Sequence, residues 1–377
     1  MNYKANTGIK LLTAFSFVLF LPQTGFADTR TVYRPDGSVL VEVTMLNGKK
    51  EGQRTVYGPN KSVEQVSTYK EDQKEGPETV FWEDGTVQAR KIYKDGKLEG
   101  TAQYFEYNRL VSEQEFKEGN REGLTKFYYP DGSLRDELPY HLGKKNGVCK
   151  FYDSKGTLYL EQTYKNDKRE GPTRCFQAFA AIKLESNFME KLRSEAGYSP
   201  GQLIMEVPYS EDKRQGTARY YSNTGKVNYE QEFKDDILNG VSKDYYDDGS
   251  LKSEEPYVDG KLNGTVKYYH KGGRLSGEVP FVDEKRQGVA KTYTPEGTLE
   301  SEQPYQNDLA EGEKKSYYPD GKIKEIKPYA RDNVSGNWRM FYENGKVKAE
   351  CTYGDGVITK SWVCYDVNGK VTTEVTY

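Results

Sequence analysis

Two histidines, four cysteines and a recurring glutamate are the residues of this chain with the means to do chemistry. His141 and His270 stand apart in sequence and in different repeats. Each reads as a variant of a repeat position, not as a general base beside a nucleophile. Cys149, Cys175, Cys351 and Cys364 show no C-x-x-C pattern and no Cys/His metal spacing. A phosphate loop, a nucleophile elbow and a zinc signature are all missing from the sequence. The glutamates recur at a fixed interval, as a structural column does, whereas a catalytic dyad would break the repetition. Two strands apart, such carboxylates would lie about 9.6 Å from each other, wide for a retaining pair and marginal for an inverting one. The expectation is no enzyme: no catalytic residue, no cofactor, no metal.

The interval itself is the strongest signal. Gly225, Gly249, Gly273, Gly297, Gly321, Gly345 and Gly369 are each 24 residues apart. A period of this length marks an array of supersecondary units that lean on one another. With each turn glycine set at position 0, fourteen units fall between Asp28 and Tyr377. Pro35-Asp36-Gly37 and Pro319-Asp320-Gly321 carry hairpin-turn chemistry. Position +2 is aliphatic in all fourteen units, +8 is aromatic in all but the first, and −4 is aromatic in all but one. A three-residue loop would set −4 opposite +2 as a cross-strand pair. By parity, −4, +2 and +8 line one face and Glu at +5 lies on the other. Parity puts the Lys or Arg at −6 beside the aromatics unless a bulge shifts the face. Glycine at +15, as in Asp259-Gly260-Lys261-Leu262-Asn263-Gly264, reads as a longer turn between hairpins.

The predicted fold is therefore all-β: an elongated single-layer antiparallel meander of about 14 tandem 24-residue hairpin repeats, with about 28 strands and one short helical insertion. Repeats cover residues 28–171 and 201–377. Between them the glycine spacing is 30 where 9 is expected. Residues 172–200 form this insertion. Cys175 to Gly197 reads as an amphipathic helix with Ala181, Leu184, Phe188 and Leu192 on one stripe.

Tyr245-Tyr246-Asp247-Asp248-Gly249-Ser250-Leu251 followed by Tyr257-Val258-Asp259-Gly260-Lys261-Leu262-Asn263-Gly264 resembles the MORN (membrane occupation and recognition nexus) repeat, and more closely its bacterial variant. The resemblance covers nearly all of the chain after residue 27. It implies a hairpin meander, protein scaffolding, dimerisation and proposed membrane association, without a family-wide catalytic residue. Some bacterial members carry an antitoxin-like label.

Residues 1–27 read as a signal peptide: Lys4 and Lys10, the apolar run Leu11 to Leu21, then Gly25-Phe26-Ala27 before cleavage. Asp28, not Cys, follows, which argues against a lipid anchor. The two lysines leave with the peptide and take the net charge from −3 to −5. An acidic chain disfavours nucleic acid and anionic membranes. Localisation is expected to be periplasmic, outer-surface or secreted, where Cys351 and Cys364 could form a disulfide.

The function expected is an exported scaffold for protein–protein interaction. The alternatives are a carbohydrate- or lipid-surface binder using tyrosine rows and a toxin-neutralising partner. The candidate surface comprises Phe179, Leu184, Phe188 and Leu192 of the insertion with Tyr209, Tyr221, Tyr245 and Tyr257 beside it. The partner is an unknown protein, and edge strands are expected to pair as a homodimer.

Overall fold

A computed structural model describes residues 25–177 and 197–376, all of them strand, turn or irregular connection, with no helix among them. The chain divides into two compact units. One runs to Leu110 and adds Phe116–Asn120; the other is Val111–Glu115 with Arg121 onward. Within each, strands pair antiparallel with their sequence neighbours, so both units are hairpin meanders. The first strand, Asp28–Tyr33, begins where the expected leader ends. The predicted helix stripe Ala181, Leu184, Phe188 and Leu192, the candidate surface residue Phe179, and most of the predicted leader lie outside the described residues.

The hairpin Gly240–Tyr245 with Leu251–Val258 shows how the repeat is built. Tyr245 stands opposite Leu251, as the loop length predicts. Tyr246 donates its backbone N–H to the Ser250 carbonyl at 2.9 Å, and Gly249 donates to the Tyr246 carbonyl at 2.8 Å. Asp248 Oδ1 accepts both the N–H of Ser250 at 2.8 Å and its hydroxyl at 2.6 Å. Gly249 has φ +90°, a region that L side chains rarely enter. The Asp-Gly pair is thus spent on turn geometry.

One extra residue sits in each such hairpin. The register slips between Asp244 and Tyr245, and in the same place at Phe127/Tyr128 and Thr292/Tyr293. This bulge overturns the parity argument. Lys243 pairs with both Glu230 and Glu254, and the Tyr245 hydroxyl donates to Glu230 Oε2 at 2.8 Å. The −4 tyrosines, −6 cations and +5 glutamates therefore share one face. Tyr257 is three residues beyond Glu254 and faces the other way, opposite Gly240. The −4 and +8 aromatic rows lie on opposite faces, not one.

The connection between hairpins is also tighter than expected. Val258 pairs with Lys261 across a two-residue loop, Asp259-Gly260, with φ +48° and +82°. Both central residues are left-handed, as in the turn type that matches strand twist. The glycine at +15 is instead a break in the return strand. Nine two-residue segments such as Lys261–Leu262 are set off here, the last of them, Val357–Ile358, before Lys360 in place of the glycine, which is why the sheet counts 37 segments and not 28. Gly264 has φ +118°, and a Cβ there would lie 2.9 Å from Pro256 Cγ. Only glycine suits both conditions.

The face carrying +8 is the buried one. In the second unit Ala218, Ser242 and Val266 at −7 are nearly fully buried. Cys175, Ile204, Val207, Ala218, Tyr220 and Phe233 form one cluster there. Another holds Trp338, Ala349 and Cys351, with Trp338 stacked on Trp362 at 4.7 Å between centroids. In the first unit the −7 position holds Glu78, 2% exposed. Its carboxylate accepts Gln65 Nε2 at 2.7 Å, faces Lys91 at 3.9 Å and pairs with Lys74. A buried carboxylate is tolerable only when partnered in this way.

The insertion opens inside a hairpin turn. Cys175 and Phe176 belong to the strand Lys168–Phe176, not to a helix, with Phe176 opposite Leu203. Gln177 donates to the Gln202 carbonyl at 2.8 Å and Gly201 donates to the Gln177 carbonyl at 2.7 Å, the same closure as in every other turn of this kind. Phe176 thus supplies the −4 aromatic that appeared to be missing from this unit.

These geometries separate two kinds of glycine. Gly264→Ala should lower stability by ~2 kcal/mol or more, through strain and the proline clash. Gly273→Ala, with φ +84° but nothing within 4 Å of a Cβ, should cost ~1 kcal/mol. Urea unfolding midpoints of the two variants check the order.

Candidate interaction surface

Along the bulged face of the second unit, cations and glutamates alternate from strand to strand. Lys126, Glu137, Lys150, Glu161, Arg174, Glu206, Arg219, Glu230, Lys243 and Glu254 follow one another in register. Arg174 bridges Glu206 at 2.6 Å and Glu161 at 3.7 Å, and Arg219 meets Glu230 at 3.0 Å. Most −4 tyrosines add a hydroxyl: Tyr128 to Glu113 at 2.8 Å, Tyr269 to Glu254 at 2.8 Å, Tyr317 to Glu302 at 2.7 Å. Burial, then the glutamate partner, pushes the phenols of Tyr128, Tyr245, Tyr269 and Tyr317 up to about 12.

On the buried face a cation at +13 covers the +8 ring of the next repeat. Lys145 stands 4.1 Å from the Tyr164 ring centre, Arg169 4.1 Å from Tyr209 and Arg286 4.1 Å from Tyr305. In the first unit Lys74 lies 4.5 Å from the Tyr93 ring. These cation–π contacts join neighbouring repeats.

The two-residue turns are tied to one another. Arg214 N–H donates to Asp236 Oδ1 at 2.9 Å, and the Asp236 N–H donates to the Arg214 carbonyl at 3.1 Å. Arg169 with Asp212 and Arg286 with Asp308 repeat this exchange. Gln215 Oε1 accepts the N–H of Asp235 at 3.0 Å, one repeat on. The opposite turns are tied by the −3 residue: Tyr246 donates to the Tyr269 carbonyl at 2.8 Å and Tyr318 to the Phe341 carbonyl at 2.7 Å. His270 occupies this position and places Nε2 2.9 Å from the Tyr293 carbonyl. It stands in for a tyrosine.

The four predicted surface tyrosines do not form one row. Tyr221 and Tyr245 are −4 residues; Tyr209 and Tyr257 are +8 residues on the other face. Tyr209 lies under Arg169, and Tyr257 donates to Glu255 at 3.1 Å. Cys351 and Cys364 are free thiols; Cys364 stands opposite Ala349, with Cys351 two residues along that strand. Burial raises the thiols of Cys149 to about 11 and of Cys175 to about 12. Among the described residues no group of three His, Cys, Asp or Glu could hold a metal ion.

One cleft between hairpin turns carries two exposed aromatic rings. In the first unit, Trp82, Glu83, Asp84, Thr86, Glu106 and Tyr107 line a cavity of about 480 Å³. Trp82 is 41% exposed and Tyr107 90%. The sequence reading missed both. Two signals were available: Asn108 is 23 residues from Gly85, not 24, and tryptophan occurs only three times in the chain.

The repeat geometry agrees with a family comparison. Seven blocks of the chain match the MORN repeat variant. They span residues 121–141, 145–166, 214–235, 238–259, 286–307, 310–330 and 335–355. All seven MORN blocks lie in the second unit. No curated protein matches the chain. Solved chains that match include the crystal structure of TcdB2-TccC3-Cdc42, at 9% identity over 93% of this chain and 27% of that one, TM-score 0.13. A Photorhabdus luminescens Tc holotoxin pore matches at 10% identity, over 89% and 22% of the two chains, TM-score 0.14. The chain spans about a quarter of the length of these structures, and at such TM-scores the likeness carries no argument.

Titration should reveal this network at both ends of the pH scale. Asp212 and Asp236 are held below 3.8, first by the backbone N–H groups of Arg169 and Arg214. Their contribution is present above the unfolded value and lost as pH falls through the lower folded one. Melting temperature should therefore drop below about pH 4, and Asp236→Asn should reduce that drop. The raised phenols act with the opposite sign. Their contribution is complete below the unfolded value of about 10 and lost as pH rises through about 12. Tyrosinate absorbance should show a class of tyrosines ionising together with unfolding.

Proposed function

We propose that the protein is an exported, non-catalytic scaffold that binds protein partners at the cell envelope or outside the cell. One observation carries this reading: the repeated columns are used up inside the array. The −4 hydroxyls go to glutamates, the +8 rings lie under cations, and the turn carboxylates go to backbone N–H groups of the next repeat. This supports a protein partner over sugars stacking on tyrosine rows, because the rows have few free faces. What remains for recognition is what varies between repeats. Ile237, Val258, Val282, Leu309 and Val357 flank the two-residue turns and are 40–66% exposed. Solvent-exposed aliphatics beside charged residues suit a protein surface.

Among the described residues no helix is long and apolar enough to cross a membrane. Export rests on the leader-like sequence of residues 1–27. Self-association would use edge strands: Val371–Val375 is exposed throughout and pairs on one side only, with Trp362–Tyr365.

Proximity labelling from the full chain in its native cell tests the proposal. The expected result is labelled envelope or extracellular proteins. Labelling confined to cytosolic proteins would refute export, and no labelled partner at all would refute the scaffold. For the edge, light scattering should show a mass above the monomer at high concentration. Val371→Lys with Val375→Lys should return it to monomer.

A further inference from the structure

The cleft at Trp82 and Tyr107 lies between the turns of adjacent hairpins, as does a cavity of about 390 Å³ lined by Ser222, Asn223, Thr224, Lys226, Tyr246 and Asp247, but it differs from that one in carrying an exposed tryptophan and no cation. In six repeats the −3 residue is a tyrosine or histidine that reaches the next repeat's carbonyl. Trp82 makes the same contact, Nε1 to the Phe105 carbonyl at 3.3 Å, yet leaves its ring 41% exposed. The neighbouring hairpin is one residue short. Its loop is Tyr107-Asn108 with φ +51° and +62°. Asparagine and glycine suit such a turn, whereas a bulky aromatic there costs ~1 kcal/mol. Tyr107 is therefore placed against its backbone preference and is 90% exposed, so its own packing does not offset the strain.

The charges around these rings are all of one sign. Glu83, Asp84 and Glu106 line the cleft, and no Lys or Arg does. Asp84 is held ionised by the Thr86 hydroxyl at 2.6 Å and the Thr86 N–H at 2.9 Å, which also fix its position. Glu83 and Glu106 have no ion-pair partner among the described residues. Aromatic faces next to carboxylates attract a cation twice, through the ring quadrupole and through the charge. A neutral sugar would gain only the first, through its C–H faces. The cavity of about 480 Å³ holds a long side chain with its flanking backbone.

We propose that this cleft takes a lysine or arginine side chain from a basic peptide segment of the partner protein. The inference deepens the scaffold reading and rests on it.

The probe is an acetylated, amidated pentapeptide, Gly-Lys-Arg-Lys-Gly, titrated calorimetrically into the full chain. Controls are its Glu-substituted counterpart and a neutral N-acetylglucosamine tetramer. The basic peptide should bind, and the acidic one should not. Tyr107→Gly and Glu106→Gln should each weaken binding roughly five- to tenfold, and added salt should weaken it further. Tyr107→Gly is a fair test because glycine suits φ +51°, so its melting temperature should hold or rise. Equal binding of the two peptides, no binding of the basic one, or binding of the sugar alone would overturn the proposal. In cells, a partner crosslinked to the wild type and lost from Tyr107→Gly supports it. Equal crosslinking to both proteins refutes the cleft and leaves the scaffold standing.

Discussion

One extra residue per repeat decides what each surface of this protein is made of. The slip between Asp244 and Tyr245, and its counterparts, turns the −4 tyrosine onto the glutamate face. Without it, Tyr245 would share a face with Tyr257, and Lys243 would lie among rings instead of between Glu230 and Glu254. A bulge in an antiparallel pair also strengthens local twist. The same device thus sorts side chains and shapes the strand pairs. Because the side-chain period in a strand is two, a single inserted residue is the smallest change able to do this.

Most of what then holds the units together runs from one repeat to the next. A single hairpin buries too little to stand alone. Here Asp236 exchanges two hydrogen bonds with Arg214, Arg214 covers the Phe233 ring at 4.1 Å, and Tyr246 ties its turn to the Tyr269 carbonyl. Each exposed pair is weak by itself. Their strength lies in number and in fixed register. The left-handed aspartates, such as Asp212 at φ +68° and Asp236 at +70°, cost some backbone energy. That cost is offset because their carboxylates are the groups that reach the preceding repeat. Glycine would relax the turn and lose the tie.

The period, the hairpin turns, the pairing of −4 with +2 and the count of 28 strands were legible in the sequence. They depend on local rules: turn chemistry, alternation and spacing. The division of faces was not legible, because a bulge leaves no mark in residue type. The glycine at +15 was visible but its role was not. It is needed where Pro256 or its counterpart presses on the backbone, a contact between strands that spacing does not show. The insertion's edge was misplaced because Cys175 and Phe176 resemble the residues that follow them, while their strand role depends on Met205 and Leu203 across the hairpin. Trp82 and Tyr107 are not legible in the columns, because these two residues matter where a column is broken.

The sheet columns build the scaffold, and recognition falls to positions released from them. That division depends on the bulged register, and above all on the pairing of Tyr245 with Glu230. A double-mutant cycle of Tyr245→Phe and Glu230→Gln, read by urea unfolding, tests it most directly. The account predicts a coupling energy of about 1 kcal/mol for a hydrogen bond to a partly exposed carboxylate. Additive effects, with coupling within ~0.3 kcal/mol of zero, would contradict it.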